Sequence, residues 1–154
     1  MIAKAATISH GGNAVRYSVN KDKAEIVKVN FLPDDISAEA MFQRMVLKQK
    51  EFSSIINKGR PLKRNVIRME ISPTKEESAG WTLADWVRLA NEYIRVFDSI
   101  DLSKKAKRAS AKFTNVKNSQ YVVALHHDAK SGIPHLHIDV NRVDCLLYTS
   151  PSPR

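Results

Sequence analysis

A length of 154 residues, 43% hydrophobic and 27% charged, bounds the chain to one domain of ordinary soluble, globular composition with room for a hydrophobic core. Membrane-spanning, secreted and disulfide-built classes are argued against: no apolar run nears the roughly 20 residues that cross a bilayer, the first residues lack a secretory pattern, and the single Cys145 points to a reducing, cytoplasmic setting. The formal net charge of +9 favours a polyanionic partner, through attraction and counterion release.

Ile2 to Ile8 is small and apolar and reads as a strand, and His10-Gly11-Gly12-Asn13 reads as a turn into a short helix over about Ala14 to Val19. Glu25 to Phe31 alternates as a second strand, ended by Pro33-Asp34-Asp35. A long helix is expected from about Ser37 to Asn57, with Phe42, Met45, Val46, Gln49, Phe52 and Ile56 on one side and Gly59 and Pro61 ending it. Asn65 to Ser72 is a third strand: Ile67, Met69 and Ile71 form its apolar face, and Val66, Arg68, Glu70 and Ser72 the other. A second long helix begins at Trp81-Thr82, where Thr82 and Asp85 have capping-box spacing. Its core stripe is Leu83, Trp86, Val87, Ala90, Ile94 and Phe97. Ser103 to Asn118 is rich in lysine and reads as an exposed, partly disordered connection. Lys63-Arg64, Lys104-Lys105, Lys107-Arg108 and Lys112 thus gather in loops or helix ends, a surface suited to nucleic acid.

The densest chemistry follows. His126-His127-Asp128-Ala129-Lys130-Ser131-Gly132-Ile133-Pro134-His135-Leu136-His137 holds four of the five histidines. A strand at Tyr121 to Leu125 precedes it, another continues through Ile138 to Asn141, and Gly and Pro lie between, so the segment reads as a hairpin. Histidines two apart on a strand project from one face. A third imidazole from the paired strand completes a three-nitrogen site with open positions, as catalytic metals require. On the second strand, Leu136, Ile138 and Val140 face the core; His135, His137, Asp139 and Asn141 face away. On the first, Tyr121, Val123, Leu125 and His127 form the bulkier set. This pleat favours His126 as the third ligand, with His127 as the alternative. The expected architecture is α+β: an antiparallel sheet with helices packed on one face and the metal site on the open face.

A basic protein with such a site suits phosphodiester chemistry, in which a divalent ion polarises a phosphate oxygen. The residues alone leave the nucleophile open between metal-bound water and a side chain. Tyr17 follows the Gly-Gly-Asn turn, Tyr93 lies near a helical core stripe and Tyr121 is on the apolar strand face. By itself Tyr17 reads sooner as a packing residue than as a nucleophile.

His126-x-Asp128 followed by Pro134-His135-Leu136-His137-Ile138 and Asn141 resembles the third motif of relaxases, the mobilisation nucleases of the HUH endonuclease superfamily. Arg68-Met69-Glu70-Ile71-Ser72-Pro73, followed by Glu76-Glu77 and a helix, resembles their second motif. Asn13-Ala14-Val15-Arg16-Tyr17 resembles the first, which carries the catalytic tyrosine. The order is right, and the resemblance, closest to relaxases of mobilisable plasmids and transposons, spans residues 1 to about 144. It implies that Tyr17 attacks single-stranded DNA at an origin of transfer, leaving a 5′-phosphotyrosyl link and a free 3′-hydroxyl. It implies a divalent metal on His126, His135 and His137, with Glu70 or Asp128 assisting the phenol proton or orienting a ligand imidazole. Arg16, Arg68 and Ser72, within the matched motifs, are the expected DNA contacts. Accessory mobilisation proteins and a coupling protein are the further partners implied. Relaxases are associated with Mn2+ or Mg2+, while three imidazoles suit Mn2+ or Zn2+ better than Mg2+; manganese is expected in vitro.

Two departures stand beside the resemblance. The loop from His126 to His135 is longer than the family's commonest spacing, which keeps His127 open. Residues 145–154 break the composition of the rest and resemble a translated sequencing adapter, so the domain is read as 1–144, truncated, with 145–154 an adapter-derived tail. Rival readings are a rolling-circle replication initiator or transposase of the same superfamily, a metal-dependent nuclease using water, and a non-catalytic nucleic-acid-binding module.

Overall fold

The computed structural model describes residues 1–104, 112–127 and 130–151. In chain order these form β1 (Ile2–Ile8), α1 (Gly11–Asn20), β2 (Glu25–Asn30), α2 (Ala38–Ile55), β3 (Val66–Ser72), α3 (Leu83–Ser99), β4 (Tyr121–His126) and β5 (His135–Asn141). The strands make one antiparallel sheet in the order β1-β3-β5-β4-β2. The fold is α+β, and the histidine strand β5 is central, bonded to β3 on one side and to its hairpin partner β4 on the other.

Period-two alternation decides what each face carries. Ile67, Met69, Ile71, Val123, Leu125, Leu136, Ile138 and Val140 point to one side and are almost wholly buried. There α3 lays Trp86, Ala90, Ile94 and Phe97 on them. Each large side chain removed from water contributes roughly 1.5–3 kcal/mol, which makes this layer the main source of stability. The expected capping box starts α3: the Asp85 carboxylate accepts the Thr82 backbone N–H at 2.8 Å. Ser37 caps α2 by accepting from the Ala40 N–H at 3.1 Å. The stripes are narrower than their periodicity suggests, since Ile56, just past the end of α2, and Leu83, the first residue of α3, are exposed.

The opposite face carries Val66, Arg68, Glu70, Val122, His126, His137, Asp139 and Asn141, and α1 and α2 roof one end of it. Val15, Leu32, Ala38, Met41 and Met45 gather over Val122. Asn141 ties the roof to β5: its Nδ2 donates to the Met45 carbonyl at 3.1 Å, and its Oδ1 accepts from Gln49 Nε2 at 3.1 Å. At the histidine end His126 and His137 are buried under Tyr17 of α1, and His135 is half-buried.

Two local expectations are corrected. The Gly11-Gly12-Asn13 turn is instead the first turn of α1. Glycine serves there for close approach, because a Cβ at Gly11 would run into Val66 Cγ2 and meet Phe42 at 3.0 Å. The lysine-rich connection is not exposed throughout: Thr114 and Val116 are buried. Asp98 of α3 organises them, accepting from Thr114 Oγ1 at 2.6 Å, the Val116 N–H at 2.8 Å and the Lys117 N–H at 3.0 Å. Lys105, Lys107 and Arg108 of the same stretch lie outside the described residues. Beyond Asp144 the chain turns back, with Val143 bridging to Thr149 and the Ser150 N–H donating to the Arg142 carbonyl at 3.0 Å.

Candidate metal centre

Pleat and register together assemble the site. His126 of β4 stands directly across from His135 of β5, and Ala124 across from His137. Ala124 is too small to fill its place, so His126 leans toward His137, with ring centroids 4.2 Å apart. His135 lies 4.9 Å from His137 and 5.5 Å from His126. One ring nitrogen from each of the three lies within 4.8 Å of the others.

Hydrogen bonds on the outer side of the cluster set the tautomers. His126 Nε2 donates to the Ser18 carbonyl of α1 at 2.8 Å, which leaves its lone pair on Nδ1. His135 Nδ1 donates to the Ile133 carbonyl at 3.3 Å, which leaves Nε2. His137 is buried with neither ring nitrogen hydrogen-bonded. Its Nδ1 lies 3.5 Å from Glu70 Oε1, ion-pair range rather than a short hydrogen bond. Burial, reinforced by the neighbouring His126, drives the His137 pKa down to about 3, so the ring is neutral with a lone pair to offer. His127 is outside the cluster: it is exposed and pairs through Nε2 with Glu25 at 2.9 Å.

Helix α1 brings Tyr17 to the same place. Its ring centroid is 5.5 Å from that of His126 and 5.7 Å from that of His137, both edge-on. The phenol is partly exposed and accepts a hydrogen bond from Lys21 Nζ at 3.3 Å. The Arg68 guanidinium carbon lies 5.3 Å from the Tyr17 ring centre, at cation–π range. Tyr17 thus has one cation at its hydroxyl, Lys21, and another, Arg68, over its ring.

The family model described as relaxase, MobA/VirD2-like, nuclease domain, matches residues 15–150. The chain belongs to this family. Compared with curated proteins, it matches none. The relaxase match takes in Tyr17, Glu70 and all three clustered histidines, and relaxase nuclease domains are metal-dependent and bind DNA.

The relaxase centre fits a divalent ion on this structure's own terms. A buried imidazole with neither nitrogen hydrogen-bonded is costly unless something coordinates it. Three ring nitrogens converging from two paired strands form a donor set of the kind that holds a metal ion. No helix among the described residues is long and apolar enough to cross a membrane.

The remaining residues singled out in the sequence are spread around this centre. Glu70 stands across from His137 in register and lies beside it. Burial would raise its pKa, but a hydrogen bond from Lys4 and the charges of His137, Lys4 and Arg68 outweigh that and lower it. Ser72 lines a shallow groove with His135, Lys4 and Glu70. Arg16 is exposed on α1 and bonded to Asn13. Asp128 lies outside the described residues.

Three residues near the centre had been given no role. Lys21 was findable, being one helical turn beyond Tyr17. Asp139, fully buried, stands across from Arg68. Burial raises its pKa to about 6; the Ser18 hydroxyl and Arg68 lower it in part and Glu70 raises it. Lys4 becomes visible only through the register of β1 against β3.

Proposed function

We propose that this relaxase domain nicks single-stranded DNA at an origin of transfer, with Tyr17 as nucleophile, for conjugative mobilisation. The observation that carries this reading is the Tyr17 ring, edge-on to both His126 and His137. Held by His126, His135 and His137, a divalent ion supplies Lewis-acid polarisation of a phosphate oxygen. Manganese is the proposed ion, because imidazole donors match it better than magnesium.

In this proposal the Tyr17 oxygen bonds to phosphorus and the bond to the leaving 3′-oxygen breaks. The products are a 5′-phosphotyrosyl link and a free 3′-hydroxyl. Lys21 and Arg68 offset negative charge on the attacking oxygen and the phosphate. Glu70 orients His137 by facing its Nδ1, and Asp128 is the second candidate for that task or for receiving the phenol proton. Arg16, Arg68 and Ser72 contact the strand. Because one phosphodiester is exchanged for another, the cut end is rejoined later without ATP. The accompanying partners proposed are accessory mobilisation proteins and a coupling protein, in a cytoplasmic setting.

The test is incubation of the protein with labelled single-stranded origin DNA and Mn2+, followed by denaturing electrophoresis. The expected product is DNA covalently attached to protein, absent with Tyr17→Phe and absent with chelator. Cleavage without an adduct, indifferent to Tyr17→Phe, would mean that water attacks and would overturn the proposal.

A further inference from the structure

Three strands set one row of ionisable groups across the sheet: Lys4 of β1 pairs with Glu70 of β3, and Glu70 pairs with His137 of β5. The two oxygens of Glu70 are divided between its neighbours. Lys4 Nζ lies 2.7 Å from Oε2, while Oε1 lies 3.5 Å from His137 Nδ1. Arg68, two residues along β3, lies 4.0 Å from the same Oε1. Glu70 is thus drawn along its own strand by Arg68 and toward the sheet edge by Lys4. The other residues on this face of β1 are Ile2, Ala6 and Ile8, so Lys4 is the only charge that β1 offers to the centre.

We propose that Lys4 is a positioning residue for the metal centre, acting through Glu70 on His137; this rests on the metal-site reading above. By holding Oε2, Lys4 fixes the carboxylate rotamer that turns Oε1 to His137 Nδ1. A carboxylate there keeps the proton of a neutral imidazole on Nδ1 and the lone pair on Nε2. Without Lys4 the carboxylate turns toward Arg68, and His137 loses the group that sets its tautomer. The Lys4 side chain is 75% exposed, and exposed ion pairs add little to stability, so its expected effect is on affinity for the metal rather than on folding.

The test is calorimetric titration of the full chain with Mn2+, without DNA. Wild type, Lys4→Met, Lys4→Arg, Glu70→Gln and the Lys4→Met/Glu70→Gln double variant are compared. Outer-shell partners are worth 10–100-fold in metal affinity and Lys4 acts one step farther out, so Lys4→Met is expected to raise the Kd for Mn2+ about tenfold. Lys4→Arg should restore affinity to within about threefold, and Lys4→Met should cost nothing further once Glu70 is Gln. Unchanged Mn2+ affinity in Lys4→Met, or an equal loss in both backgrounds, would overturn the proposal. Unchanged Mn2+ affinity with weaker single-stranded DNA binding would assign Lys4 to a phosphate instead. If wild type shows no Mn2+ uptake that His135→Ala abolishes, the metal-site reading itself fails, and the role of Lys4 falls with it.

Discussion

His126 donates from Nε2 to the backbone carbonyl of Ser18 at 2.8 Å, so one imidazole joins the metal centre to the helix that carries Tyr17. His135, the neighbouring candidate ligand, has no such duty: it is half-buried, and among the described residues its hydrogen bond is to the Ile133 carbonyl in its own loop. Both are expected to be needed for Mn2+ binding, but only His126→Ala should also weaken the metal-free fold. It removes a fully buried side chain and strands the Ser18 carbonyl, at a cost of about 1–3 kcal/mol. His135→Ala should stay within about 0.5 kcal/mol of wild type. Urea denaturation in chelator compares them, and equal stabilities would refute the docking role of His126.

Asp139 and His137 give the metal-free protein opposing pH dependences. The folded pKa of His137, about 3, lies below the unfolded value of about 6.5. The unfolded chain therefore binds the extra proton, and stability rises with pH across that interval. The folded pKa of Asp139, about 6, lies above the unfolded value of about 3.9. There the folded chain binds the extra proton, and stability falls as pH rises through that window. The two slopes offset between about pH 4 and 6. Asp139→Asn removes one of them, so the variant should gain stability over that range, on the order of 1–2 kcal/mol, where wild type stays nearly level. Chemical denaturation at a series of pH values reads this directly; a flat variant would disprove it.

Gly11 tests the seat of α1. Alanine is the better helix former by about 1 kcal/mol, yet its methyl would meet buried Val66, which the sheet holds in place. Overpacking of this kind costs about 1–3 kcal/mol. Gly11→Ala should therefore be net destabilising and should lower adduct yield by displacing Tyr17. Gly12→Ala, which meets only the half-buried Phe42 ring at 3.0 Å, should be milder. The order of their urea midpoints decides the matter.

Asp98 is expected to hold the segment leading into β4. Its replacement by alanine deprives the buried Val116 N–H of its acceptor and leaves the Thr114 hydroxyl the more distant Phe97 carbonyl at 3.5 Å. The predicted loss is about 2 kcal/mol, with faster hydrogen exchange over residues 114–118 than in wild type. Unchanged exchange there would show that the segment is held by other contacts.

Much of this was legible in the sequence because the decisive contacts are local. The alternation in 121–126 and 135–141, joined by a Gly- and Pro-bearing loop, suffices to put His126, His135 and His137 on one face. Core stripes and the Thr82–Asp85 cap follow from helical spacing in the same way. What escaped depends on long-range packing. Gly11-Gly12 has the composition of a turn, and only the nearness of Val66 and Phe42 explains glycine inside a helix. Thr114 and Val116 look exposed amid lysines until Asp98 is brought beside them. Lys4 and Glu70 are joined by a strand pairing that no local pattern encodes.

With His126 and the other two clustered histidines on β4 and β5, and Tyr17 on a helix laid over them and bonded to His126 through the Ser18 carbonyl, the two halves of the proposed chemistry are mechanically coupled. The imidazoles are borne by strands paired on both sides, while α1 rests on side-chain packing and on the bond from His126 to the Ser18 carbonyl. Motion of that helix would carry the phenol toward or away from a strand of DNA and would pull on His126 as it moved. Loading of the proposed ion and the seating of the nucleophile would therefore each be felt by the other.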